Sequence, residues 1–161
     1  MRRTYTPVLA AGIGVVAGLR SLTAPAVVSW AAREKMIRPL HSLPARMLVA
    51  RTSKKIAEFA VGELIADKLP GTPNRISPLP LAFRVISGAA CGAAVSSAAD
   101  ESPKEGAAYG ALGAFAGAFA GFYLRKRLSR DFPGFAVAIA EDVLAISAAA
   151  VVVSTLSNRQ S

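Results

Sequence analysis

Gly106-Ala-Ala-Tyr-Gly110-Ala-Leu-Gly113-Ala-Phe-Ala-Gly117-Ala-Phe-Ala-Gly121 is the stretch on which the fold turns. Its glycines recur at intervals of four, three, four and four residues. At 3.6 residues per turn that spacing gathers all five onto one helix face. In lipid, such a stripe without side chains lets two helices approach closely. The same small-residue spacing occurs twice more. Gly14 and Gly18 lie four apart in the N-terminal apolar run, and Gly88, Gly92 and Ser96 repeat the step in the middle of the chain. The direct reading is that these faces pack the helices of one bundle; the sharper alternative is a homo-oligomer interface.

Working outward, the glycine-rich run Ala107–Leu124 is closed by Arg125, Lys126, Arg127 and Arg130. It is preceded by a second apolar run, Leu81–Ala99, and by the acidic, polar loop Asp100–Gly106. After the Phe132-Pro133-Gly134 turn, a third run covers Phe135–Leu156. A fourth, Pro7–Ala32, opens the chain and carries Arg20 and Pro25 within it. A spanning helix needs about 20 apolar residues. The sequence thus predicts an all-α integral membrane helix bundle of about four transmembrane helices, over residues 7–32, 81–99, 107–124 and 135–156. The first is read as a retained helix kinked near Pro25 rather than a signal peptide, because it is too long for such a segment and holds Arg20. A shorter amphipathic or re-entrant helix is expected over about 44–69, starting at Pro44. The four prolines of Pro70–Pro80 read as a non-helical connector.

Composition agrees. Of 161 residues, 53% are apolar and only 7% aromatic, and mean hydropathy is +0.42. This excludes a disordered chain and a disulfide-stapled secreted domain. The net charge of +9 comes from 19 Lys/Arg against 10 Asp/Glu. Those cations fall in the gaps between apolar runs, chiefly Arg33–Lys55 and Arg125–Arg130, which is the positive-inside pattern. With residues 56–69 kept on one side, 13 Lys/Arg lie on one face and 4 on the other, so four spans with both termini outside are favoured. No basic recognition helix or aromatic-interleaved basic strand points to nucleic acid. The expected partner is membrane lipid. One cysteine, Cys91, and one histidine, His41, make a structural zinc site implausible, and no cofactor or metal is expected.

An ionised group in hydrocarbon costs on the order of 2.5–3.5 kcal/mol on insertion scales, and so marks function by default. Six such groups occur in the apolar runs: Arg20, Glu63, Asp67, Arg84, Glu141 and Asp142. Glu63 and Asp67 share a helix face. Arg84 lies four before Gly88 and so projects from the close-packed side of its helix. Glu141 and Asp142 are flanked by Ala138, Ala145, Ala148 and Ala149. Three readings compete: a buried ion-pair network that fixes helix register, a polar pocket or ion path, and snorkelling of Arg84 to the surface. The connector Leu69-Pro-Gly-Thr-Pro-Asn-Arg75 could meet a phosphate but is more simply a rigid turn. No Walker, dinucleotide or Gly-x-Ser-x-Gly pattern supports an enzyme, which leaves a lipid-phosphate enzyme as a third functional reading. Gly14-Val-Val-Ala-Gly18 and Gly117-Ala-Phe-Ala-Gly121 hint at an internal repeat of the kind on which transporters are built.

Gly18-Leu-Arg-Ser-Leu-Thr-Ala-Pro25, Glu63-Leu-Ile-Ala-Asp67-Lys-Leu-Pro70, Arg84 with Gly88, and Ala140-Glu-Asp-Val143 resemble a bacterial family of small multi-span membrane proteins, domain of unknown function 4126. The resemblance runs from about residue 12 to 153. It implies a multi-pass protein of the bacterial inner membrane and no assigned activity. The functional expectation is a small transporter- or channel-like protein whose polar interior is lined by the six charged residues, with a structural scaffold as the alternative.

Overall fold

The computed structural model describes residues 5–34 and 77–158. Among them the structure is helical, with no strand: α1 (Thr6–Leu19), α2 (Thr23–Arg33), α3 (Pro78–Ala98), α4 (Pro103–Leu128) and α5 (Gly134–Asn158). The helix expected over 44–69 lies outside the described residues. Three helices, α3, α4 and α5, have 21, 26 and 25 residues and are apolar enough to cross a membrane. At 1.5 Å per residue even the shortest reaches roughly 31 Å, about the thickness of a hydrocarbon core. Three helices of this length and composition suggest a membrane protein.

The helix starts follow local chemistry. α3 begins at Pro78, so the last prolines of the expected connector belong to the helix itself; a proline in the first turn lacks only an N–H that no intrahelical carbonyl needs. Ser102 caps α4, its hydroxyl accepting from the Glu105 amide at 3.5 Å. Between α3 and α4 the turn is tight. The Asp100 amide donates to the Ser97 carbonyl at 3.2 Å and the Glu101 amide to the Ser96 carbonyl at 2.9 Å. Asp100 takes the left-handed conformation (φ 57°) that closes this type of helix end.

The apolar run over residues 7–32 is not one kinked helix. It is broken at Arg20-Ser21-Leu22 into α1 and α2. The cause lies at Pro25, as expected, but the effect falls four residues upstream. In an unbroken helix the Pro25 nitrogen would face the Ser21 carbonyl, which it can neither donate to nor accommodate. Pro25 instead sits in the first turn of a new helix, where its ring fits. At 14 residues, α1 alone reaches roughly 21 Å, short of a full crossing.

Glycine contacts set the packing. A Cβ added to Gly113 would meet the backbone at Ala11, one at Gly117 would meet Val15, and one at Gly121 would meet Leu19. These matched steps mean that α1 and α4 run parallel. Gly88 lies against Gly110 and Ala114, and Gly92 against Gly106 and Gly110, so α3 runs antiparallel to α4. Gly14 also abuts Gly110. Three helices therefore meet at one glycine of the stripe. α5 packs mainly on α1, with Val152 3.5 Å from where a Gly12 Cβ would sit, and less on α2 and α4. The core is made of small groups, including Ala10, Ala17, Cys91, Ala94, Ala114, Ala145 and Ala149.

A Cβ at Gly110 would stand 2.9 Å from the Gly88 carbonyl carbon and 3.0 Å from the Gly92 Cα, both backbone atoms that cannot rotate aside. Gly110→Ala is expected to push α3 from α4 and lower stability by about 2 kcal/mol or more, the scale of an overpacked core. Gly12→Ala has room, and is expected to be neutral or to stabilise by up to ~1 kcal/mol through helix propensity. Unfolding of the two purified variants in detergent, followed by circular dichroism, checks the contrast.

Candidate functional site

The break in the first apolar run exposes the carbonyl end of α1 inside the bundle. Backbone groups without partners in a water-free environment cost several kcal/mol each. Three side-chain hydrogen bonds from α3 meet this demand. Arg84 Nη1 donates to the Gly18 carbonyl at 2.7 Å and to the Leu19 carbonyl at 2.8 Å. Ser87 Oγ donates to the Ser21 carbonyl at 2.5 Å. Ser21 is the carbonyl that Pro25 deprives of a donor, so Ser87 replaces the missing N–H. Arg84 and Ser87 are three apart on α3 and share a face. A guanidinium at a helix C-terminus also meets the negative end of the macrodipole. Arg84 is 4% exposed, which rules out snorkelling to the surface.

Arg20 is the break residue itself, with extended backbone (φ −140°, ψ 112°). Its side chain is fully buried, the largest such group among the described residues. Nη2 forms an ion pair with Asp142 Oδ1 on α5. Glu141, one position along α5, is turned by roughly 100°. Its Oε1 lies 3.5 Å from where a Gly121 Cβ would be, against α4. The site is about six residues into α3 and eight into α5, roughly 9–12 Å from the end of the bundle that carries Arg125–Arg130.

Beside it, a crevice of about 280 Å³ opens between α1, α4 and α5. Val15, Leu19, Gly117 and Leu144 line its inner part, and Leu124, Leu128 and Val137 its outer part. Glu141 and Arg125 are its charged wall residues. The crevice reaches Glu141 but not Arg20.

Of the six charges singled out in the sequence, Arg20, Arg84, Glu141 and Asp142 converge on the break, while Glu63 and Asp67 lie outside the described residues. The packing glycines Gly14, Gly18, Gly88, Gly92, Gly110, Gly113, Gly117 and Gly121 are placed at helix–helix contacts. Ser21 and Ser87 belong to the site and were missed. The signal was available: Ser87 is one turn beyond Arg84, and Ser21 is four before Pro25. Among the described residues no three His, Cys, Asp or Glu side chains come close enough to hold a metal ion. The chain matches no protein-family model, no curated protein and no solved structure.

Removing one member of a buried ion pair typically costs 3–5 kcal/mol, because the other charge stays behind, whereas replacing both with apolar groups is often near neutral. Asp142→Asn is therefore expected to lower stability by about 3 kcal/mol or more. Arg20→Met combined with Asp142→Leu is expected to recover most of that loss. Denaturant unfolding of the single and double variants in the same detergent measures the difference.

Proposed function

We propose that this chain is a small transporter- or channel-like protein of the bacterial inner membrane, with its polar site at the α1–α2 break. The observation that carries the reading is the break itself: a spanning segment interrupted inside the bundle and surrounded by Arg20, Arg84, Asp142 and Glu141. Irregular backbone at membrane depth is tolerated only where protein buries it or where it lines a cavity, and transporters use such broken helices to bind their cargo. Here the half-helix end of α1 and two ion-pairing groups supply both signs of charge within one turn of each other. The crevice beside Glu141 gives that region an opening. The resemblance of Gly18–Pro25 and Ala140–Val143 to domain of unknown function 4126 supports the placement in a bacterial inner membrane.

A second reading has its own support. The Arg20–Asp142 pair is closed, and Arg84 already holds two carbonyls, as a network that merely locks helix register would be. The two readings differ in water access. Cys91 is the sole cysteine and is buried, so Cys91→Ala gives a clean background for single-cysteine labelling. In membrane vesicles, a small water-soluble thiol reagent is expected to modify Glu141→Cys and Ser87→Cys, and to leave Ala149→Cys, in the apolar core, untouched. If all three stay unmodified, the transport reading is overturned and the scaffold reading stands.

A further inference from the structure

The crevice between α1, α4 and α5 has a direction. Its wall on α4 runs from Leu128 and Arg125 inward through Gly121 to Gly117, and on α5 from Val137 through Ala140 and Glu141 to Leu144. Eleven residues separate Gly117 from Leu128, roughly 16 Å of helix. That is about half of a 30 Å hydrocarbon core, the depth of one leaflet. The lining is apolar apart from Arg125 near the outer end and Glu141 deeper in. Arg125 heads a cluster with Lys126, Arg127 and Arg130 at the C-terminal end of α4.

The crevice has a sequence cause. α4 presents Gly117, Ala120 and Gly121 on this side, but α5 contains no glycine after Gly134. Val137 and Leu144 of α5 face the gap, and its lining is apolar apart from Arg125 and Glu141. Bilayer lipid is the apolar material at hand, and basic pockets between spanning helices select anionic head groups.

We propose that this crevice seats one acyl chain of an anionic phospholipid, with the lipid phosphate held by Arg125 and the neighbouring Lys126, Arg127 and Arg130. Glu141 lies four residues deeper than Arg125, roughly 6 Å along α4. Its carboxylate repels a phosphate from the interior, so the head group stays at the Arg125 level while the chain passes inward. The site is independent of whether the α1–α2 break transports anything.

The full-length protein, purified in a neutral detergent, is titrated with phosphatidylglycerol or with phosphatidylcholine of the same acyl chains and followed by native mass spectrometry and thermal unfolding. The expected result is one tightly held phosphatidylglycerol, retained at least tenfold better than phosphatidylcholine and raising Tm. Arg125→Gln is expected to erase the preference between head groups. Ala140→Phe, which fills the crevice, is expected to remove the tightly held lipid altogether. Equal retention of the two lipids by the unaltered protein overturns the proposal. So does an undiminished bound lipid in Ala140→Phe, which would put the lipid elsewhere. A photoreactive residue at position 144 separates the remaining occupants: cross-linking to lipid supports the proposal. Cross-linking to residues 35–76 of the same chain, or to a second copy, overturns it.

Discussion

A carbonyl oxygen inside a dehydrated helix bundle must have a donor, and the arrangement of this protein follows from three that lost theirs. Pro25 cannot serve Ser21, so the first apolar run breaks there, and the last turn of α1 is left with Gly18 and Leu19 unserved by the helix. Arg84 and Ser87 supply the missing hydrogens from α3. Each bond from a charged donor contributes on the order of 1.5–3 kcal/mol net. Failing to make it would cost more, since a peptide group in hydrocarbon has no water to fall back on. The position of α3 against α1 is thus fixed by polar demand as well as by shape.

Shape does the rest, unevenly. α1, α3 and α4 are drawn together by glycines whose missing side chains let backbones touch, and Gly110 is where all three approach. α5 has no such surface. It is held by alanine and valine contacts with α1 and by the Asp142 ion pair to Arg20, and it stands off from α4. One charge pair therefore tethers the helix that shape complementarity binds least. Such a pair adds little net stability, because desolvation offsets its attraction, but it defines where α5 must sit.

The sequence made the three long helices legible because their signals are one-dimensional: length, hydropathy, and glycine at steps of three and four. A small-residue stripe also tells which side of a helix is buried, and Arg84, four before Gly88, lies on that side at 4% exposure. What the sequence left open was pairing. Nothing in the order of residues says that Arg84 would meet carbonyls of α1, or that Asp142 would take Arg20. The break was half visible. Pro25 marked the disturbance, but apolar residues resume at once after Arg20-Ser21, and only the rule that proline acts on the residue four before it puts the interruption at Ser21. Ser87 was overlooked because a serine in an apolar helix looks like a small packing residue until its acceptor is known.

The donors that complete α1 come late in the chain: Arg84 stands 66 residues after Gly18, and Asp142 is 122 residues after Arg20. A ribosome delivers the N-terminal segment long before either. Until α3 is threaded alongside, the bent conformation lacks the hydrogens of Arg84 and Ser87, and until α5 follows, the Arg20 guanidinium lacks Asp142. Pro25 writes the interruption into the peptide, but its side-chain support is a property of the finished assembly, acquired as later segments arrive.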